Sequence, residues 1–293
     1  MSERSGLRTH LDAPAFLEAV RFTTAATGFD ARLIEKDYFC TLLLDQLARI
    51  DGLVFKGGTC LAKVYTGFFR LSEDLDFVIA TAADATRNLR RSRVAPLKAA
   101  FRDLACRQPA LRVVAPLTGA NVSTQYVGTL AYTSLLTARE ETIKVEVALR
   151  EPLLRDPVIG SAASILLDPV EGEPLVEPVS LRCIELGEAF AEKMRAALSR
   201  REPAIRDFFD LDWAVRRNLL EPLDPALVLL VRTKLAVPGN APVDVSEARF
   251  EALRRQSAQG LRPVLRPEDF TAFDLDRAYG IVRGVALAVA GNA

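Results

Sequence analysis

Two adjacent glycines at the end of a short apolar run constrain this chain more than any other feature. Leu53-Val54-Phe55-Lys56 reads as a buried strand, and Gly57-Gly58 stops it in a tight turn before a short helix from Thr59 to Tyr65. A strand that ends in glycines and a hydroxyl residue at a helix start exposes backbone N–H groups, and glycine lets a phosphate approach closely. The next apolar run, Leu75 to Ile79, carries Asp76 and is preceded by Asp74. Period-two alternation puts both carboxylates on one face and turns Leu75 and Phe77 into the core. Carboxylates so placed, ~7 Å apart at Cα, can converge on a pair of Mg²⁺ ions. Two such ions, about 3.5–4 Å apart, can activate an attacking hydroxyl and stabilise a leaving pyrophosphate.

That chemistry needs a third carboxylate from a neighbouring strand. The candidate is Glu146, in a run where Lys144 and Glu146 share one face and Ile143, Val145 and Val147 the other. A solvent-facing sheet edge accounts for this alternation nearly as well as a metal-facing surface does.

Around this centre the pattern predicts an α+β chain. Two helices fill the first ~50 residues, from the spacing of Phe16, Leu17 and Val20 and then of Leu33, Ile34, Tyr38, Leu42 and Leu43, with starts at Asp12 and Asp30. A helical stretch over 84–107 carries Arg87, Arg90, Arg91, Arg93, Lys98, Arg102 and Arg107 against Asp103 alone. It reads as a solvated face or as a ridge for a polyanion. Further strands are predicted near 111–115, 126–137, 141–149 and 164–167. From Ile184 onward the pattern is helical. A boundary near residue 180 divides residues 1–180, helices plus a mixed sheet flanked by helices, from a mainly helical segment, 181–293, with Asp168 to Pro178 as the connection.

Composition narrows the function classes. With 38 basic and 38 acidic residues the net charge is zero, which excludes a globally basic nucleic-acid coat but not local patches. Cys40, Cys60, Cys106 and Cys183 form no CxxC pair, so a zinc site or a disulfide framework is not expected, and reduced thiols point to the cytoplasm. No apolar run approaches the ~20 residues of a membrane span, and the first residues lack the apolar stretch of a signal peptide. His10 is the only histidine and lies in an N-terminus expected to be mobile, so histidine acid/base chemistry is not expected.

The ordered motifs resemble the DNA polymerase β-like nucleotidyltransferase superfamily, and more closely the abortive-infection nucleotidyltransferase toxins of the AbiEii/AbiGii type. The resemblance rests on Glu35-Lys36-Asp37-Tyr38, the run from Lys56 to Lys63, Arg70 with Ser72, Asp74 and Asp76, Lys144 with Glu146, Glu192-Lys193 through Leu198, and Arg206-Asp207 with Asp210. It spans about residues 30–215, and the segment between 81 and 140 carries no signature.

It implies a nucleotidyltransferase-like sheet, two Mg²⁺ ions held by Asp74, Asp76 and Glu146, and an NTP whose triphosphate meets Lys56, Gly57, Gly58, Thr59, Lys63, Ser72, Lys144 and Arg206. Lys193 would neutralise phosphate charge, with Asp207 and Asp210 as site or site-support residues and the helical C-terminal domain contributing to the active site. It implies further a toxin with a separately encoded antitoxin and the 3′ end of a tRNA, or another RNA, as candidate acceptor. No role for Lys36 or Asp37 follows. On an idealised wheel Lys193 lies at the edge of the stripe formed by Leu186, Phe190, Met194 and Ala197, where a snorkelling lysine would also sit, and Asp212 falls unexplained inside an apolar face. Two other readings are a nucleotide-sensing or partner-binding module with the same fold, against which the intact carboxylates argue, and a nucleotidyltransferase acting on a protein or a small molecule.

Overall fold

The computed structural model describes residues 6–291. The chain divides into two compact units, Met1–Ile184 and Glu185–Ala293.

In the first unit, α1 (Ala13–Thr27) and α2 (Ala31–Leu47) start where the sequence places them. Asp12 Oδ1 accepts from the Ala15 amide at 3.1 Å and Asp30 Oδ1 from the Arg32 amide at 3.0 Å, each satisfying a donor that a helix start leaves open. Then follow β1 (Leu53–Lys56), α3 (Gly57–Cys60) continuing as a π-helical turn over Leu61–Tyr65, β2 (Leu75–Ile79), α4 (Arg87–Arg102) and α5 (Leu104–Arg107). The remaining strands are β3 (Arg112–Ala120), β4 (Gln125–Thr133), β5 (Glu140–Ala148), β6 (Val158–Ala162) and β7 (Val179–Cys183). All seven form one mixed sheet in the order β3-β4-β5-β2-β1-β7-β6. The pairs β2–β5 and β1–β7 are parallel and the others antiparallel.

Two expectations change here, and two strands were not foreseen. Residues 164–167 are not a strand: Ile165 and Leu166 are buried, but the Ile165 amide and the Ser164 hydroxyl donate to Asp37 on α2 instead of to a ladder. Strand β7 begins directly after the stretch expected as the connection, Asp168 to Pro178, and was not among the expected strands. Val179, Leu181 and Cys183 alternate inward against exposed Ser180 and Arg182, and Cys183 pairs with Phe55, so the sheet runs past residue 180. Edge strand β6 escaped the sequence reading because Val158, Ile159 and Ser161 are exposed and leave no alternation to read. Nor is His10 mobile: it sits in a 3₁₀ turn, Thr9–Leu11, with Nδ1 2.8 Å from the Tyr38 hydroxyl, and burial lowers its pKa.

The second unit is helical throughout: α6 (Leu186–Ser199), α7 (Ile205–Arg216), α8 (Pro225–Leu235), α9 (Glu247–Leu261), α10 (Pro267–Ala272) and α11 (Leu275–Gly291). Phe190, Met194, Phe208, Phe209, Leu253 and Val282 fill its core. Buried charges fix helix to helix. Lys234 on α8 reaches Glu188 and Glu192 on α6 at 2.6 and 3.1 Å, and the Arg249 guanidinium on α9 donates to the Ala197 and Arg200 carbonyls. Asp212, unexplained on the wheel, is fully buried and takes a two-pronged ion pair from Arg277 at 2.5 and 2.9 Å, with Arg216 at 3.1 Å.

Candidate active site

The strand register assembles the site. Lys56 at the end of β1 lies directly opposite Asp76 on β2, and Asp76 lies opposite Glu146 on β5, so three polar residues form one row across the sheet. Asp74, two residues earlier, is on the same face of the extended chain, while Leu75, Phe77, Val145 and Val147 are buried behind it. Gly57 follows at once, with φ +78°, a left-handed conformation that glycine adopts without strain. It has no room for a side chain: a Cβ there would stand 2.3 Å from Asp76 Oδ2 and 2.8 Å from Asp76 Cβ. The second glycine is filled differently, since a Cβ on Gly58 would meet the buried Arg70 guanidinium at 2.4 Å. The turn thus uses two glycines for two close approaches, one to a carboxylate and one to a cation.

Glu146 is held by two donors, one on each oxygen. Lys144 Nζ lies 2.5 Å from Oε1, and Gln125 Nε2 from β4 donates to Oε2 at 2.8 Å. The same ammonium is 3.8 Å from Asp74 Oδ2. The hydrogen bond to Glu146 raises the Lys144 pKa against a smaller opposing effect of burial, with Glu146, Asp74 and Asp76 adding Coulombic support. Thr59 is buried, and its hydroxyl donates to the Asp74 backbone carbonyl at 2.5 Å. That hydroxyl therefore positions the acidic loop, whereas the resemblance implied that it meets phosphate. Ser72 is half-buried in the loop between Arg70 and Asp74.

Helix α2 supports this arrangement from behind, and all but three of its 17 residues are buried. Glu35, fully buried, accepts from the Ser134 hydroxyl at 2.7 Å and the Leu135 amide at 2.6 Å, just after β4. Lys36 reaches Glu73, the residue before Asp74, at 3.0 Å, and Arg32 joins Glu73 to Glu141 at 3.3 Å each. Asp37 binds Lys63 at 2.7 Å besides its bonds to residues 164 and 165. Lys63 is therefore corrected: its side chain has no exposure and also meets Thr41 Oγ1 at 2.8 Å and the Ala163 carbonyl at 3.0 Å. An ammonium sealed in this way is a structural tie and does not reach a nucleotide.

In the second unit, Lys193, Asp207 and Asp210 come together. Lys193 Nζ lies 2.9 Å from Asp207 Oδ1 and 2.8 Å from Asp210 Oδ2, and Arg200 NH1 lies 3.1 Å from Asp207 Oδ2. Both carboxylates are buried and the lysine nearly so, with 13% of its side chain exposed. Arg206 donates through Nε to the Gly260 carbonyl at 3.1 Å, tethering the end of α9.

A family model described as nucleotidyl transferase AbiEii toxin, type IV toxin–antitoxin system, matches residues 42–278. The chain belongs to the AbiEii nucleotidyltransferase toxin family. Two solved structures from Helicobacter pylori share its fold. One is a protein assigned as a nucleotidyltransferase, at 15% identity and a TM-score of 0.52 over 90% of this chain and 97% of that one. The other is JHP933, at 16% identity and a TM-score of 0.52 over 90% and 94%. No curated protein matches the chain. Among the described residues no helix is long and apolar enough to cross a membrane.

An AbiEii nucleotidyltransferase uses an NTP and implies a metal, and the residues here fit one in kind. Asp74, Asp76 and Glu146 supply hard oxygen donors on one face, and two of them already converge on a single cation, the Lys144 ammonium. Among the described residues, no three acidic, histidine or cysteine side chains stand close enough to hold an ion as placed.

The sequence reading missed Gln125 and Glu73 and left Glu35, Lys36 and Asp37 on α2 as a motif without a role. Gln125 lies across the β4–β5 register, where Val127 faces Glu146, and no spacing rule reports such a partner. The basic ridge on α4 and α5 loses one member to the core, and several others bond neighbouring groups while staying exposed. Arg90 is buried, bonding the Leu149 carbonyl at 3.1 Å and the Ala83 carbonyl at 2.9 Å. Arg93 caps the Ala80 carbonyl and Arg107 the Ala100 carbonyl, while Arg102 pairs with Asp103. Arg87, Arg91, Arg93, Lys98, Arg102 and Arg107 are all exposed.

Proposed function

We propose that this AbiEii-family toxin is a Mg²⁺-dependent enzyme that transfers NMP from an NTP to an acceptor hydroxyl, with release of pyrophosphate. The observation that carries the reading is the row Lys56–Asp76–Glu146, with Asp74 on the same face and Gly57 packed against Asp76. Asp74, Asp76 and Glu146 would hold the metal, which supplies charge neutralisation for phosphoryl transfer when bound. Gly57 lets Asp76 pack directly against the turn, because any side chain there would collide with its carboxylate, and the triphosphate is assigned to the Gly57-Gly58 turn on the resemblance of the motifs. Lys56 and Lys144 offer cationic partners for phosphate oxygens, and Gln125 keeps Glu146 aimed at the site. On the resemblance of the motifs alone, Lys193 of the second unit, which pairs with Asp207 and Asp210, is assigned to the nucleotide's phosphates. Rate enhancement then comes mainly from positioning and preorganised charge.

The acceptor proposed is RNA, with the 3′ end of a tRNA as the first candidate. It rests on the resemblance of the motifs and on exposed Arg87 and Arg91. The antitoxin partner follows from the toxin family, and a cytoplasmic site of action from the sparse, unpaired cysteines. The test is incubation of pure protein with each labelled NTP, Mg²⁺ and, separately, total RNA, protein and small-molecule acceptors. Label in RNA that disappears in Asp76→Ala supports the reading. Label in protein or small molecules replaces the acceptor, and no transfer with any NTP removes the activity. Asp76→Ala is expected to abolish transfer while changing stability by less than about 1 kcal/mol, because clustered carboxylates repel one another.

A further inference from the structure

We propose that Lys144 is a resident counter-cation of the carboxylate face, competing with a divalent ion for Glu146 and Asp74 and passing to the phosphates of the nucleotide when that ion binds. The proposal rests on the reading of those carboxylates as the metal-holding group.

The geometry that carries it is the double approach of one ammonium, 2.5 Å from Glu146 Oε1 and 3.8 Å from Asp74 Oδ2. These are oxygens a divalent ion would need, and two cations cannot both stand within ~3 Å of one carboxylate oxygen without strong repulsion. Lys144 is free to yield its place, since 44% of its side chain is exposed. Lys63 and Lys36, the lysines nearest in function, have side chains 0% and 8% exposed and are committed to Asp37 and Glu73. Departure of Lys144 does not disorder its carboxylate, because Gln125 holds the other oxygen of Glu146 at 2.8 Å. The flexible four-carbon stem of a lysine can carry the charge several ångströms, far enough to meet a phosphate oxygen beside the carboxylates.

The consequence is linkage. A divalent ion alone must displace an ammonium that finds only water. An ion arriving with a nucleotide displaces one that gains a new anionic partner. Nucleotide therefore raises metal affinity, and metal raises nucleotide affinity by the same factor. This makes the site respond to the metal–nucleotide complex more than to the metal.

The experiment is equilibrium Mn²⁺ binding, read without turnover from the electron paramagnetic resonance signal of free Mn²⁺, with and without α,β-methylene analogues of the four NTPs. Wild type is compared with Lys144→Met, Lys144→Gln and Asp76→Asn, each checked for a native circular dichroism spectrum. Both Lys144 variants are expected to bind Mn²⁺ alone about threefold to tenfold more tightly, the range of a partly exposed charge pair, and to lose most of the nucleotide-induced gain. Mn²⁺ affinity at or below wild type in both Lys144 variants, with binding lost in Asp76→Asn, overturns the role of Lys144 alone. Undiminished Mn²⁺ binding in Asp76→Asn overturns the carboxylate reading beneath it.

Discussion

Replacing Gly57 by alanine isolates the contact on which the acidic site is built. At φ +78° a Cβ costs about 1–2 kcal/mol in backbone strain alone. The contact adds to this: a Cβ would lie 2.3 Å from Asp76 Oδ2, which a rotamer change can relieve, but also 2.8 Å from Asp76 Cβ, which only a shift of β2 can. Forcing a methyl group into packed surroundings costs typically about 1–3 kcal/mol, so the expected total is about 2–5 kcal/mol. Gly52 supplies the control, having φ +72° and nothing within 4 Å of its would-be Cβ, so Gly52→Ala carries the backbone cost only. The only tryptophan, Trp213, is in the second unit and reports on that unit. Urea unfolding of the first unit is therefore better followed by hydrogen exchange at β1 and β2 amides. With a slope of about 2 kcal/mol per M, a 3 kcal/mol loss lowers the midpoint by about 1.5 M. Removing the Asp76 side chain as well, in Gly57→Ala/Asp76→Gly, should return the cost towards that of Gly52→Ala. A Gly57→Ala protein no less stable than Gly52→Ala would refute the claimed approach of the turn to Asp76.

Lys63→Met should destabilise the first unit by about 3–5 kcal/mol, because it strands the Asp37 carboxylate in a buried setting; loss of nucleotide affinity without loss of stability in urea titrations would return Lys63 to the site. Arg90→Ala should cost about 2 kcal/mol in chemical denaturation, since it leaves buried carbonyls without their donor, whereas Arg91→Ala should be neutral within about 0.5 kcal/mol. If RNA is bound, Arg87→Ala/Arg91→Ala should flatten the slope of log K against log salt by up to about one unit per lost phosphate contact, and an unchanged slope would assign α4 to solvent. Lys193→Ala should lower kcat about 30- to 1,000-fold in NTP titrations and also lower stability, because Asp207 and Asp210 lose their shared partner. Arginine at 193 should rescue only in part, and a normal kcat in Lys193→Ala would leave the lysine a purely structural tie.

The chemistry of the centre was legible because it is written locally. The glycines beside β1, the two aspartates around β2 and the alternation of β5 each sit within a few residues, and period two fixes which side chains share a face. What joins them was not. The parallel register that sets Asp76 beside Glu146 spans 70 positions of sequence, and a second long-range parallel pairing, of β7 with β1, was equally invisible. Buried charge was the other blind spot. Lys63 is assigned to the nucleotide by resemblance and Asp212 stands unexplained in an apolar face until Asp37 and Arg277 are brought to them. A helical wheel shows which residues point inward and says nothing of the partner waiting there. Glu35, Lys36 and Asp37 were visible only as a motif without a task.

That task has a bearing on how the toxin fails. Three successive residues of α2 each grip a different segment: the turn after β4, the acidic loop before Asp74, and the stretch from 163 to 165 together with Lys63. Such a helix behaves like the keystone of an arch, so none of the three segments can loosen by itself. Damage anywhere along it, by mutation, heat or a protease that catches an opened loop, should silence the enzyme abruptly instead of leaving a crippled but active remnant.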